Sequence, residues 1–170
     1  HSDKFDEMRV IEELINSLPN NSDLQIANSW STRMSQLMDI PNGVRVNCNR
    51  GVNGIDGSMS TAMGFAASNS ERMSFLIIGD LSFFYDMNSL GIKHVGSNVR
   101  ILLINNNGGS MLYKPFMQQY LDKGLPMSNL GLGKRLTAKG WVESLGFEYI
   151  SATSLTDYEE GIERLTCEKS

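Results

Sequence analysis

Two short segments carry the residue types and spacing that could do chemistry. Gly79-Asp80 closes the apolar run SFLIIG, and Asn105-Asn106-Asn107-Gly108-Gly109 closes the apolar run that begins at Val99. Asp80 brings a carboxylate, and the asparagine-glycine run brings an amide oxygen and exposed backbone carbonyls. These are hard oxygen ligands of the kind that suit magnesium or calcium. A single carboxylate leaves positive charge on such an ion, which a diphosphate can complete. Ser82 opens the segment after Asp80, and the amide groups at a helix start point back at an anion there. Taken singly, Gly-Asp after a strand is a common helix cap and Asn-Gly is ordinary turn chemistry. Taken together, with 24 residues separating Asp80 from Asn105, they form the two halves of a metal-diphosphate site.

The elements that must position these halves follow from periodicity. In residues 3–18, Phe5, Met8, Ile11, Leu14, Ile15 and Leu18 recur at three- and four-residue steps, which predicts an amphipathic helix ended by Pro19. Residues 24–28 and 44–47 read as short strands, with a helix over about 29–38 between them. A loop over 49–54 leads to a small-residue helix over 56–68. Residues 74–79 and 99–105 are continuous apolar, β-rich runs, the signature of buried parallel strands, and a helical pattern over 83–95 joins them. Residues 110–134 read as a long loop with a helical stretch near 116–121. A helix over 137–145, a strand over 147–151 and a helix over 158–165, capped by Ser154 and Asp157, complete the chain. Alternating strands and helices predict an α/β fold of three layers, helices covering both faces of a mostly parallel sheet. Ligands of such sheets bind beyond the carboxyl ends of the strands, where both halves of the site lie.

Composition narrows the function class. The 170 residues are 41% hydrophobic and 20% charged with four prolines, which fits one domain with a sizeable core. Fifteen Lys and Arg against 19 Asp and Glu give a net charge of −4 with no basic run, so nucleic acid is not an expected partner. Two cysteines and two histidines make neither a disulfide framework nor a four-ligand zinc site, and a reducing, cytoplasmic location is expected. The longest apolar runs fall far short of the roughly 20 residues that span a bilayer. The first residues, His-Ser-Asp-Lys-Phe, lack both an initiator Met and a signal-like layout, so a piece of a longer enzyme is expected. No G-x-G-x-x-G follows the first strand, which argues against a nicotinamide-binding domain. Cys48, His94, Trp30, Trp141 and the ten methionines read as structural.

Gly-Asp followed at this spacing by Asn-Asn resembles the two-part thiamine diphosphate signature. The segments NRGVNGIDGSMSTAMG (49–64), GDLSFFYDMNSL (79–90) and INNNGG (104–109) resemble the C-terminal diphosphate-binding (PP) domain of the 2-succinyl-5-enolpyruvyl-6-hydroxy-3-cyclohexene-1-carboxylate synthases (MenD) of menaquinone biosynthesis. Leu81 stands at the third glycine of the general signature, as in that family. Asn28-Ser29-Trp30-Ser31-Thr32-Arg33 resembles the family's Asn-Ser-x-x-x-Arg, so the likeness covers roughly residues 24–112 and weakens beyond them.

The resemblance implies the thiamine diphosphate-binding fold, with thiamine diphosphate and Mg2+ as cofactors. Asp80, the Asn106 side chain and the Gly108 carbonyl would hold the magnesium, and Leu81 and Ser82 would meet the diphosphate, with Gly109 also in the cofactor-binding run. Ile55 would wedge between the cofactor's rings, and the backbone of Asn53 and Ile55 would hold its aminopyrimidine. Ser29, Arg33 and Arg50 match positions that contact substrate carboxylates, a task suited to the planar guanidinium fork. On pattern alone, Ile55 is a core aliphatic, Ser29 a helix cap, and Arg33 and Arg50 solvated surface charges. The implied reaction decarboxylates 2-oxoglutarate and adds the product to isochorismate. The glutamate that activates the cofactor belongs to a pyrimidine-binding domain absent from this chain, so a homo-oligomeric full enzyme is implied and the isolated chain is expected to be inactive. Met111-Leu112 occupies the place of an apolar-aromatic pair in the family, and the family has one more strand after the last helix. Two other readings stay open: the diphosphate-binding subunit of a split decarboxylase or carboligase, and a non-catalytic binding module.

Overall fold

The computed structural model describes residues 5–106, 108–109 and 136–167. The helix α1 (Glu7–Ser17) starts where the Asp6 side chain accepts from the Arg9 amide at 2.9 Å, and it buries Ile11, Leu14 and Ile15. β1 (Asp23–Ile26), α2 (Trp30–Ser35), β2 (Arg45–Cys48) and α3 (Ser58–Ser68) follow. Next come β3 (Ser74–Gly79), α4 (Asp80–Asp86), a 3-10 turn (Met87–Gly91) and β4 (Val99–Ile104). Beyond the undescribed stretch lie α5 (Lys139–Ser144) and α6 (Leu155–Thr166). The capping box predicted at Ser154 and Asp157 forms, with the Asp157 amide 3.2 Å from Ser154 Oγ. No helix among the described residues is long and apolar enough to cross a membrane.

The four strands form a parallel sheet in the order β2-β1-β3-β4, with Asp23 opposite both Arg45 and Ser74, and Ser74 opposite Val99. Because side chains alternate across a strand, β3 and β4 feed two cores, while β1 gives its apolar side chains to one and β2 is exposed at the sheet's edge. Leu24, Ile26, Phe75 and Ile77 meet α1 and α6 through Ile11, Leu14, Ile15, Tyr158 and Ile162 on one face. Leu76, Ile78 and Val99 meet α3, α4 and α5 through Met59, Ala62, Met63, Phe83 and Val142 on the other. The predicted three-layer α/β arrangement is therefore present, and the continuous apolar run of β3 reflects burial on both faces.

Two expectations need correction. The helix predicted over 83–95 starts three residues earlier, because the Asp80 carboxylate accepts from the Leu81 amide at 2.8 Å and begins the turn itself; it then tightens to 3-10 geometry and ends at Gly91. The strand predicted over 147–151 does not join the sheet among the described residues. Gly146, at φ 86°, ends α5, and the Phe147 amide returns 3.0 Å to the Val142 carbonyl, so the first donor of that would-be strand serves a helix cap. Phe147 and Tyr149 still alternate inward with outward Glu148 and Ile150, across a cleft of about 950 Å3 from β4. The expected loop over 110–134, its helical stretch and Met111-Leu112 lie outside the described residues.

Candidate functional site

All four strands run the same way, so the segments after them gather along one edge of the sheet. In sheet order these are Arg50 after β2, Ser29 and Arg33 after β1, Asp80 after β3, and Asn105, Asn106, Gly108 and Gly109 after β4. The order reverses between β1 and β3, which makes that junction the switch point where α/β sheets hold ligands.

On the β3–β4 side the two sequence halves meet. Asp80 is 2% exposed, and its Oδ2 accepts from the Gly108 amide at 2.7 Å while its Oδ1 accepts from the Leu81 amide. Gly108 and Gly109 hold φ of 100° and 85°, which L side chains rarely adopt, and this lets the chain turn back onto the carboxylate. Asn106 donates its Nδ2 to Glu7 Oε1 at 2.6 Å. A carboxylate offers about four lone-pair positions, and the two amides leave Asp80 with capacity for a cation. Among the described residues no three Cys, His, Asp or Glu side chains converge. The donor set is one buried carboxylate with amide and backbone oxygens, which fits a magnesium ion whose shell a phosphate completes and fits no thiophilic metal.

The loop after β2 faces this pair. Ile55 is half-buried, and its carbonyl accepts a hydrogen bond from the Ser82 hydroxyl. Ser82 and Leu81, both expected to meet a diphosphate, thus donate within the protein: the hydroxyl to Ile55, the Leu81 amide to Asp80. Asn28, 4% exposed at the end of β1, donates Nδ2 to the carbonyls of Val52 at 3.2 Å and Gly54 at 2.6 Å, and its Oδ1 lies 3.4 Å from Arg50 Nη1.

On the β1–β2 side, Arg33 and Arg50 are exposed and Ser29 is half-buried. Ser29 stands at the position before α2, yet its side chain makes no capping bond there. Its backbone is at φ 76°, ψ −127°, a strained conformation for a residue with a Cβ. Such strain costs about 1–3 kcal/mol and concentrates where a fold holds a side chain for function.

Sequence reasoning placed Asp80, Gly108, Ile55 and Ser82 in the site, and the fold brings them together. It missed Glu7, 99 residues from its partner Asn106, which no local pattern signals. It also gave Asn28 no separate role, although a buried polar residue at a strand's carboxyl end beside a glycine-rich loop is a readable cue.

No family model matches the chain. Among solved structures, 95% of the chain superposes on 30% of the benzoylformate decarboxylase from Polynucleobacter necessarius, with a TM-score of 0.67 and 16% identity. The fold class is therefore the α/β fold of that decarboxylase's matching segment, a parallel sheet flanked by helices. In sequence, the chain is 45% identical over 164 residues, 95% of its length, to the 2-succinyl-5-enolpyruvyl-6-hydroxy-3-cyclohexene-1-carboxylate synthase of Phocaeicola vulgatus, and spans 28% of that relative. It is 42% identical over 167 residues to the synthase of the same name from Bacteroides fragilis, spanning 29% of it. The chain is thus a homologue of one segment, under a third of the length, of the synthases that carry this name.

Proposed function

We propose that this chain is the diphosphate- and magnesium-binding domain of a thiamine diphosphate-dependent synthase that decarboxylates 2-oxoglutarate and adds the resulting four-carbon unit to isochorismate. The observation that carries the reading is the contact of Asp80 with Gly108 at 2.7 Å, which unites the two signature halves in a chain that is 45% identical to such a synthase. Asp80, the Asn106 side chain and the Gly108 carbonyl would hold Mg2+. Leu81 and Ser82 would meet the diphosphate, Gly109 would belong to the cofactor-binding run, Ile55 would support the bent cofactor, and the backbone of Asn53 and Ile55 would hold its aminopyrimidine. The bound cofactor would supply nucleophilic attack on a 2-oxo acid and storage of the electron pair released with carbon dioxide.

The chain's own part is positioning and charge. Arg33 and Arg50, cationic and exposed beside the switch point, suit the carboxylates of donor and acceptor. The Ser29 hydroxyl would add a neutral donor to that anion site. Replacing Ser29 with Gly removes the hydroxyl and relieves the positive φ. The expected result is a KM for the 2-oxo acid raised about tenfold with thermal stability unchanged or higher by about 1 kcal/mol. A KM within twofold of wild type removes Ser29 from the substrate site.

The activating glutamate would come from a pyrimidine-binding domain or subunit, within a homo-oligomer. The pure chain should therefore give no turnover of 2-oxoglutarate, and the chain combined with its pyrimidine-binding partner should release carbon dioxide and consume isochorismate. Robust turnover by the pure chain would overturn this division of labour. A combined enzyme that binds cofactor without joining the two substrates would point to a different acceptor or to a non-catalytic module.

A further inference from the structure

We propose that Asn28 is a positioning residue, its carboxamide fixing the loop so that the backbone N–H of Ile55 is aimed at the acceptor ring nitrogen of the cofactor's aminopyrimidine. The inference rests on the cofactor reading above. A trans peptide holds its C=O and N–H on opposite edges of one plane. The peptide that carries the Val52 carbonyl also carries the Asn53 N–H, and the peptide with the Gly54 carbonyl carries the Ile55 N–H. Asn28 Nδ2 grips both carbonyls, at 3.2 and 2.6 Å, so both N–H groups turn away from Asn28. From the other side the Ser82 hydroxyl donates to the Ile55 carbonyl and fixes the next peptide plane. Ile55 is thereby clamped between the end of β1 and the first turn of α4.

The loop has little else to hold it in place. Residues 51–54 are exposed, and Val52, the apolar side chain that could anchor them by packing, is 81% exposed. Its geometry therefore depends on polar contacts. The carboxamide can serve only one way round, because a flip would set Oδ1 against two carbonyl oxygens and Nδ2 against the Arg50 guanidinium. Asn28→Asp keeps the size and the acceptor for Arg50 but replaces the donor with a carboxylate oxygen, which repels both carbonyls and releases the loop.

The test compares two ligands in the complete enzyme, this chain together with its pyrimidine-binding domain or subunit. Thiamine diphosphate carries the aminopyrimidine, and inorganic diphosphate does not; both are titrated calorimetrically with Mg2+. For Asn28→Asp, thiamine diphosphate should bind at least tenfold more weakly, about 1.4 kcal/mol, while inorganic diphosphate stays within twofold. Equal weakening of both ligands, or of neither, overturns the positioning role and leaves the cofactor reading intact. A wild-type enzyme that binds neither ligand sinks the cofactor reading itself. Amide hydrogen exchange on the wild-type enzyme gives a measurement independent of the variant's folding. The Ile55 amide should gain protection with thiamine diphosphate and not with inorganic diphosphate, and equal protection by both ligands, or by neither, counts against the proposal.

Discussion

Asp80→Asn is expected to lower Mg2+-dependent binding of thiamine diphosphate by at least about 100-fold, or about 2.7 kcal/mol. Asp80 is the one carboxylate in the proposed donor set, and it is buried against two amides, from Leu81 and Gly108. An asparagine loses the charge that a divalent cation needs. It also sets an NH2 group against one of two backbone N–H donors, and an unsatisfied buried donor costs about 1–3 kcal/mol. The variant should therefore show two separable effects: a modest fall in melting temperature without ligand, and a much larger loss of the stabilisation that Mg2+ and cofactor add to the wild type. Titration by calorimetry and thermal melts with and without ligand measure both. Cofactor binding within threefold of wild type would remove Asp80 from the metal site.

The second large effect lies at the opposite edge of the sheet. Asp23 is fully buried at the start of β1, where Arg45 Nε and Nη2 donate to its two oxygens at 2.6 and 2.7 Å and Arg72 Nε donates at 3.0 Å. Arg72 also reaches the Ser22 carbonyl at 2.8 Å and the Asn21 side chain, tying the turn before β3 to the start of β1. Asp23→Ala removes the buried acceptor of both guanidinium groups; because Arg45 is half-exposed and Arg72 keeps its bonds to Ser22 and Asn21, the cost is that of lost charged hydrogen bonds, about 2 kcal/mol, rather than of a stranded buried charge. Burial alone pushes the Asp23 carboxyl up, but hydrogen bonds from Arg45 and Arg72, with their charges, outweigh it and hold the group below its usual value of 3.8. A folded-state value below the unfolded one means that the clamp contributes fully above the unfolded value and is lost as pH falls through the folded one. Urea denaturation should show wild type more stable than Asp23→Ala by about 2 kcal/mol at pH 7, with the gap closing below about pH 4. A gap under about 0.5 kcal/mol at pH 7, the range of surface substitutions, would show that the clamp adds nothing to stability.

Much of this architecture is local in origin and was legible before any coordinates. The apolar runs of β3 and β4 declare parallel strands, β3 buried on both faces and β4 half-buried beside it, and the three- and four-residue spacing of Ile11, Leu14 and Ile15 declares α1. Ser154 and Asp157 declare the start of α6, because a capping box is satisfied within a single turn. The strand over 147–151 failed because alternation records which side chains face inward, not whether the backbone has a partner. Phe147 and Tyr149 pack inward while the first amide of the segment serves the α5 cap.

For the site, the sequence by itself determined the chemical inventory: an acidic residue and an asparagine-glycine run at two strand ends, with the composition that excludes a basic or thiophilic site. Their order along the chain and the strand periodicity also placed both at one sheet edge. Only the tertiary structure decided which groups touch. Gly108 turns its amide to Asp80, Glu7 reaches Asn106 across 99 residues, and Asn28 and Ser82 clamp the loop that bears Ile55. The reason is physical: periodicity and caps reflect interactions within a few residues, whereas the partner of a buried polar group is chosen by the packing of strands distant in sequence, where leaving it unpaired is costly.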